Sequence, residues 1–166
     1  WLLLLLGLII AMTVNFFRSD RTAGLLQIPY ILWTAFAAYL NSLGLSGKKV
    51  GVMGKNGYPW ALTYLAVTCG VGVIVPIDRE LKGEELRHVV DHSELSAIVY
   101  LPDVSDKVEN LPGDFLRLNT ASMGEYIATG ETLRAVGDTS YEQHHVDPHE
   151  MSILLYTSGT TGLAKG

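Results

Sequence analysis

The stretch VGVIVPI, residues 71–77, constrains this chain more than any other. It is apolar throughout and rich in β-branched residues, so as a strand it has no face to offer water. Such strands belong inside parallel sheets, where helices cover both sides. The neighbouring sequence supplies both strands and covers. KKVGVMG (48–54) reads as a strand ending in glycine, and YPWALTYLAVTCG (58–70) as a helix. Pro59 falls in that helix's first turn, where its missing N–H costs nothing. A helix GEELRHVVDHS (83–93) and a strand SAIVYL (96–101) follow. A weaker strand FLRLN (115–119), a helix within 122–136 and a last strand MSILLY (151–156) complete the series. This alternation predicts an α/β fold built on an open parallel sheet.

The last strand runs directly into TSGTTGLAKG. Ligands of α/β sheets gather at the carboxyl ends of strands, so the position suits a site. Gly159 and Gly162 allow conformations that turn successive backbone N–H groups toward one anion. Thr157, Ser158, Thr160 and Thr161 add hydroxyl donors, and Lys165 adds a positive charge. The spacing is not that of a Walker A loop, in which lysine follows the second glycine directly and precedes Ser or Thr. From these residues alone, a phosphate cradle and a ligand-free Gly/Ser/Thr loop both stand.

YTSGTTGLAKG (156–166) resembles the signature phosphate loop of the adenylate-forming superfamily, which includes acyl-CoA synthetases, peptide-synthetase adenylation domains and luciferases. The stretch from LGLSGKKVGVMGKNG to SAIVY is similar in order and spacing to the opening of long-chain fatty-acid–CoA ligases. The resemblance covers residues 43–166. It implies ATP as the cofactor, with Mg in the parent family, and a carboxylic acid and CoA as partners. The carboxylate would attack the α-phosphate, giving an acyl-adenylate and pyrophosphate, and the thiol would then displace AMP. Carried onto this chain, Thr157, Ser158, Gly159, Thr160, Thr161, Gly162 and Lys165 would embrace the β- and γ-phosphates. No catalytic residue is expected among them, and Lys165 is not the lysine of the family's C-terminal lid. Adenine and ribose contacts, hinge and lid are expected beyond Gly166, which makes the chain a fragment that is inactive alone.

Residues 1–43 are of a different texture. They carry only Arg18, Asp20 and Arg21, so the chain's excess of acid, 17 Asp and Glu against 12 Lys and Arg, falls entirely in residues 44–166. With no basic stripe there, no nucleic-acid partner is expected. Trp1 to Phe17 contains no charge; as a helix it would rise about 26 Å against a hydrocarbon core of about 30 Å. Thr22 to Leu43 is long enough to span as well, with Gln27, Pro29 and Asn41 as interruptions. The two read as an all-α transmembrane helical hairpin. FFRSDRTAGLLQIPYILWTAFAAYLN resembles the last two helices of the TspO/MBR family, membrane bundles associated with tetrapyrrole and sterol-type ligands. The expected organisation is therefore a hairpin at 1–43 and an enzyme-like unit at 44–166, joined within 38–46. It is expected to lie at a membrane with the enzyme-like part in the cytoplasm. Arg18 and Arg21 against Lys48, Lys49 and Lys55 leave the topology open. Three functional readings stand: a piece of an acyl-CoA ligase, a TspO-type membrane protein with a tail, and a chimera cut at both Trp1 and Gly166.

Several other residues invite a function. HHVDPHE (144–150) concentrates three histidines, but its spacing fits no standard zinc pattern. His88 and His92 are four apart on one helix and are expected at the surface. Asp78, Arg79 and Glu80 follow a strand end, and the resemblance makes them a structural turn. Cys69, the lone cysteine, is expected in the core, and a reducing compartment is its default setting. A sheet ending at its phosphate-loop strand is expected to expose an edge and to aggregate.

Overall fold

The computed structural model describes residue 15, residues 27–138, 149–158 and 164–165. Four parallel strands form the sheet: β1 (Lys49–Met53), β2 (Val73–Ile77), β3 (Ala97–Tyr100) and β4 (Leu116–Asn119). Their order is β2-β1-β3-β4, with Val50 opposite both Ile74 and Ala97, and Ile98 opposite Arg117. The helices are α1 (Gln27–Ser42), α2 (Tyr58–Thr68), α3 (Gly83–Ser93), α4 (Ser105–Glu109) and α5 (Met123–Ala135), with 3₁₀ turns before α4 and α5. The expected α/β class with a parallel sheet is what the chain forms.

Strand alternation sorts the core into two layers. On one face, Val50, Val52, Ile74, Ala97 and Val99 pack against Phe36 and Leu40 of α1, Leu62 and Ala66 of α2, and Met123 of α5. On the other, Met53, Val75, Ile77, Ile98 and Tyr100 pack against Leu86 and Val89 of α3 and Val108 of α4. The amphipathic α3 shows how sequence selects this arrangement. Leu86, Val89 and Val90 line its buried face, while Glu84 and Glu85 sit in its first turn, where the helix dipole favours acid.

The helix α1 departs from the sequence expectation. A span from Thr22 to Leu43 was expected; residues 27–42 form a helix of 16 residues packed into the α/β unit. Ala35, Phe36, Ala37 and Leu40 are fully buried. Phe36, Tyr39 and Tyr126 form a stacked set, with the Tyr39 and Tyr126 rings 4.9 Å apart and nearly parallel. Arg134 on α5 donates to Thr34 Oγ1 at 3.2 Å. At Gly130, α5 comes so close to α1 that a Cβ would collide with the Ala35 carbonyl. The apolar pattern that suggests lipid faces a sheet and a neighbouring helix instead. Among the described residues, no helix is long and apolar enough to cross a membrane. The hairpin's first arm, Trp1 to Phe17, and its turn lie outside the described residues, Asn15 excepted.

The last strand expected, residues 151–156, is reduced to a short parallel pairing outside β2. Ile74 N–H donates to the Ser152 carbonyl at 3.0 Å, and Leu154 N–H to the Ile74 carbonyl at 2.9 Å. Pro76 supplies the reason it goes no further. In a parallel pair, Pro76 would be the next residue to donate outward, and it has no N–H. The chain leaves the sheet lattice after Leu154.

Candidate functional site

The expected phosphate loop begins where that pairing ends. β5 (Thr157–Ser158) and β6 (Ala164–Lys165) pair antiparallel, with Thr157 opposite Lys165 and Ser158 opposite Ala164. The two ends of the predicted loop are therefore brought together as a hairpin stem, with the cationic residue in register with the first threonine. Gly159, Thr160, Thr161 and Gly162 lie outside the described residues.

A cavity of about 590 Å³ adjoins the stem at the carboxyl ends of β1 and β2. Lys55, Asn56, Trp60, Asp78, Arg79 and Tyr156 are among its lining residues. Pro76 also borders it, so the missing backbone hydrogen bond and the opening coincide. Its floor begins at Gly54, whose φ of +139° and close approach to Leu101 favour glycine. The segment after Gly54 is fixed by Asp103, whose Oδ2 accepts from the Lys55 N–H at 3.1 Å. The same carboxylate lies 4.0 Å from Arg79 Nη1.

Asp78, Arg79 and Glu80 form a self-bonded turn. Glu80 N–H donates to Asp78 Oδ1 at 2.9 Å, Arg79 Nε pairs with Glu80 Oε1 at 3.1 Å, and Lys107 Nζ donates to the Arg79 carbonyl. These charges hold the rim of the cavity in place.

Tyr156, the residue just before β5, reaches α3. Its hydroxyl is 2.8 Å from His92 Nδ1, and the two rings meet edge to face at 5.8 Å. Burial raises the phenol's pKa, while a hydrogen bond from the Ser93 side chain works in the opposite direction. The His88 ring is 5.7 Å from that of His92. Sequence spacing puts the two histidines together but gives no sign of Tyr156. That partner lies far along the chain, and only the sheet order brings it there.

One other expectation ends differently. Cys69 is exposed, not in the core: it caps the carboxyl end of α2, where its N–H donates to the Leu65 carbonyl. Its apolar neighbours in sequence alternate around a helix end and do not share its side. Of HHVDPHE, only His149 and Glu150 are described. Among the described residues no group of three or more His, Cys, Asp or Glu could hold a metal ion.

A parallel sheet with helices on both faces and a hairpin stem near its carboxyl edge defines an open α/β protein. The chain belongs to the AMP-binding enzyme family, which it matches over residues 31–166. It also matches the TspO/MBR family over residues 1–43. The two matches overlap over residues 31–43, a stretch that includes most of α1 and its contacts with α5. Relatives include the human mitochondrial medium-chain acyl-CoA ligase ACSF2, 26% identical over 160 residues, covering 78% of this chain and 26% of that protein. Tyrocidine synthase 2 of Brevibacillus parabrevis is 30% identical over 131 residues, covering 78% of this chain and 3% of that one.

The fold is shared with a Mycobacterium tuberculosis fatty acyl CoA synthetase, at a TM-score of 0.66 and 19% identity, over 83% of this chain and 27% of that one. A long-chain-fatty-acid-CoA ligase from Archaeoglobus fulgidus gives 0.65 and 23%, over 81% and 27%. The chain thus spans about a quarter of the acyl-CoA ligases it matches.

Proposed function

We propose that this chain carries the pyrophosphate-gripping part of an ATP-dependent carboxylate-activating site, of the acyl-CoA ligase type. The observation that carries this reading is the hairpin stem at the carboxyl edge of the sheet, with Lys165 in register with Thr157. Activation joins a carboxylate oxygen to the α-phosphorus and breaks its bond to the bridging oxygen, which leaves with the β- and γ-phosphates. Negative charge builds on that leaving group. Thr157, Ser158, Gly159, Thr160, Thr161, Gly162 and Lys165 offer backbone N–H, hydroxyl and ammonium donors that can be fixed before the bond breaks, which is the efficient way to stabilise developing charge. The Mg implied by the family would accompany the phosphates. Thioester formation, with CoA displacing AMP, would use groups that the family places in its later segments. On this reading the chain by itself grips phosphate and does not turn over.

The test is titration of inorganic pyrophosphate into the 166-residue chain, followed by calorimetry. Lys165→Ala should weaken binding about tenfold, the scale of one hydrogen bond to a charged group. A wild-type chain that leaves pyrophosphate unbound would defeat the proposal.

The TspO/MBR match supports a second reading for residues 1–26. The uncharged run Trp1 to Phe17 would tether the α/β unit to the cytoplasmic side of a membrane. Flotation with phospholipid vesicles tests it: the full chain should float and a chain starting at Gln27 should not. Equal behaviour of the two would refute the tether.

A further inference from the structure

We propose that His92 is a positioning residue for the phosphate hairpin, acting through Tyr156; the inference rests on reading that hairpin as a phosphate site. Backbone pairing cannot set the hairpin's direction, because Pro76 ends it at Leu154. Two residues later the Tyr156 side chain takes over. Its hydroxyl meets His92 Nδ1 at 2.8 Å, and its ring lies edge-on to the imidazole, 89° from parallel. With the imidazole proton on Nε2, the phenol donates to Nδ1, and the contact fixes both the distance and the rotation of the residue that enters β5. His88 stands beside His92 on the same helix face and limits where the imidazole can turn. The helix α3 also lies against β6, the other arm of the stem. One helix therefore lies beside both arms of the stem and makes a side-chain hydrogen bond at the entry to one of them.

Three substitutions separate the bond from the packing. His92→Phe keeps a flat ring and removes the acceptor. His92→Asn restores a polar atom near the place of Nδ1. Tyr156→Phe removes the hydroxyl alone. Amide hydrogen exchange at Thr157, Ser158 and Lys165 is measured in the ligand-free chain, and pyrophosphate affinity alongside it. His92→Phe and Tyr156→Phe should each speed exchange in the stem about fivefold, the scale of one hydrogen bond. The double variant should be no faster than either single one. His92→Asn should stay within twofold of wild type. Pyrophosphate dissociation constants should rise in the same pattern.

Unchanged stem exchange in His92→Phe overturns the inference. So does His92→Asn behaving like His92→Phe, or exchange that accelerates equally throughout β1 to β4, since each would mean packing alone. If the wild-type chain binds no pyrophosphate, the phosphate reading falls, while exchange in the stem still decides whether His92 positions it.

Discussion

Tyr39, Tyr100 and Tyr156 are each held neutral chiefly by burial, with different second partners. For Tyr39 the neighbour is Tyr126. For Tyr100 it is Glu109, whose carboxylate accepts the phenol's hydrogen bond at 3.1 Å. All three phenols are raised above the ordinary value of 10.0. Above pH 10 the unfolded chain therefore releases these protons while the folded chain keeps them, and stability falls as pH rises. Below pH 10 these groups leave stability flat. Tyr39→Phe keeps the stacked ring and removes one titration, so its loss of stability above pH 10 should be shallower than that of wild type. Urea midpoints measured from pH 8 to 11 check this; parallel curves would contradict it. Residue identity alone hides such features. His92 reads as a surface group and is exposed, but its partner Tyr156 comes to it only through the sheet order; Cys69 reads as a core group and is exposed because it sits at a helix end.

Among the elements, β1 to β3, α2, α3 and α5 were legible because their patterns leave one solution. A β-branched run apolar on both faces can only be a covered strand, and α3 carries a helical stripe. The short α4, with sequence SDKVE, gave no such signal, since only Val108 is buried. The case of α1 is different: its apolar residues are visible, but hydropathy does not say whether lipid or protein covers them. What decides it is Gly130 on α5, where the two backbones touch. Gly130→Ala should cost about 3 kcal/mol, at the upper end of overpacking. Gly124→Ala, in the same helix with open space around it, should be neutral or stabilising by about 0.5 kcal/mol. Chemical denaturation of the pair checks this. Equal stability for both variants would mean that α1 does not pack there in solution. The TspO/MBR and AMP-binding matches share residues 31–43, and this contact shows which environment those residues occupy in the fold.

At the scale of the whole molecule, the segment outside β2 leaves an apolar row in water. Met151 and Leu155 are each 60% exposed and Ile153 37%, while Leu154 and Tyr156 turn inward to the layer of α3. An apolar edge of this kind templates association. Met151→Lys with Ile153→Lys should reduce light scattering of concentrated protein and lower binding of hydrophobic dyes, with the melting midpoint of the sheet little changed. Undiminished scattering would place the sticky surface elsewhere. The same geometry has a consequence for synthesis on the ribosome. Strands β1 to β4 and their helices emerge first, and they can form a finished sheet before residue 151 is made. The hairpin's strand then arrives as a late addition, and its partner is the second strand made, not the most recent. Its docking closes one of the longest loops among the described residues in exchange for two backbone hydrogen bonds, so this segment joins the sheet after β1 to β4 and a chaperone would find it open longer than they are.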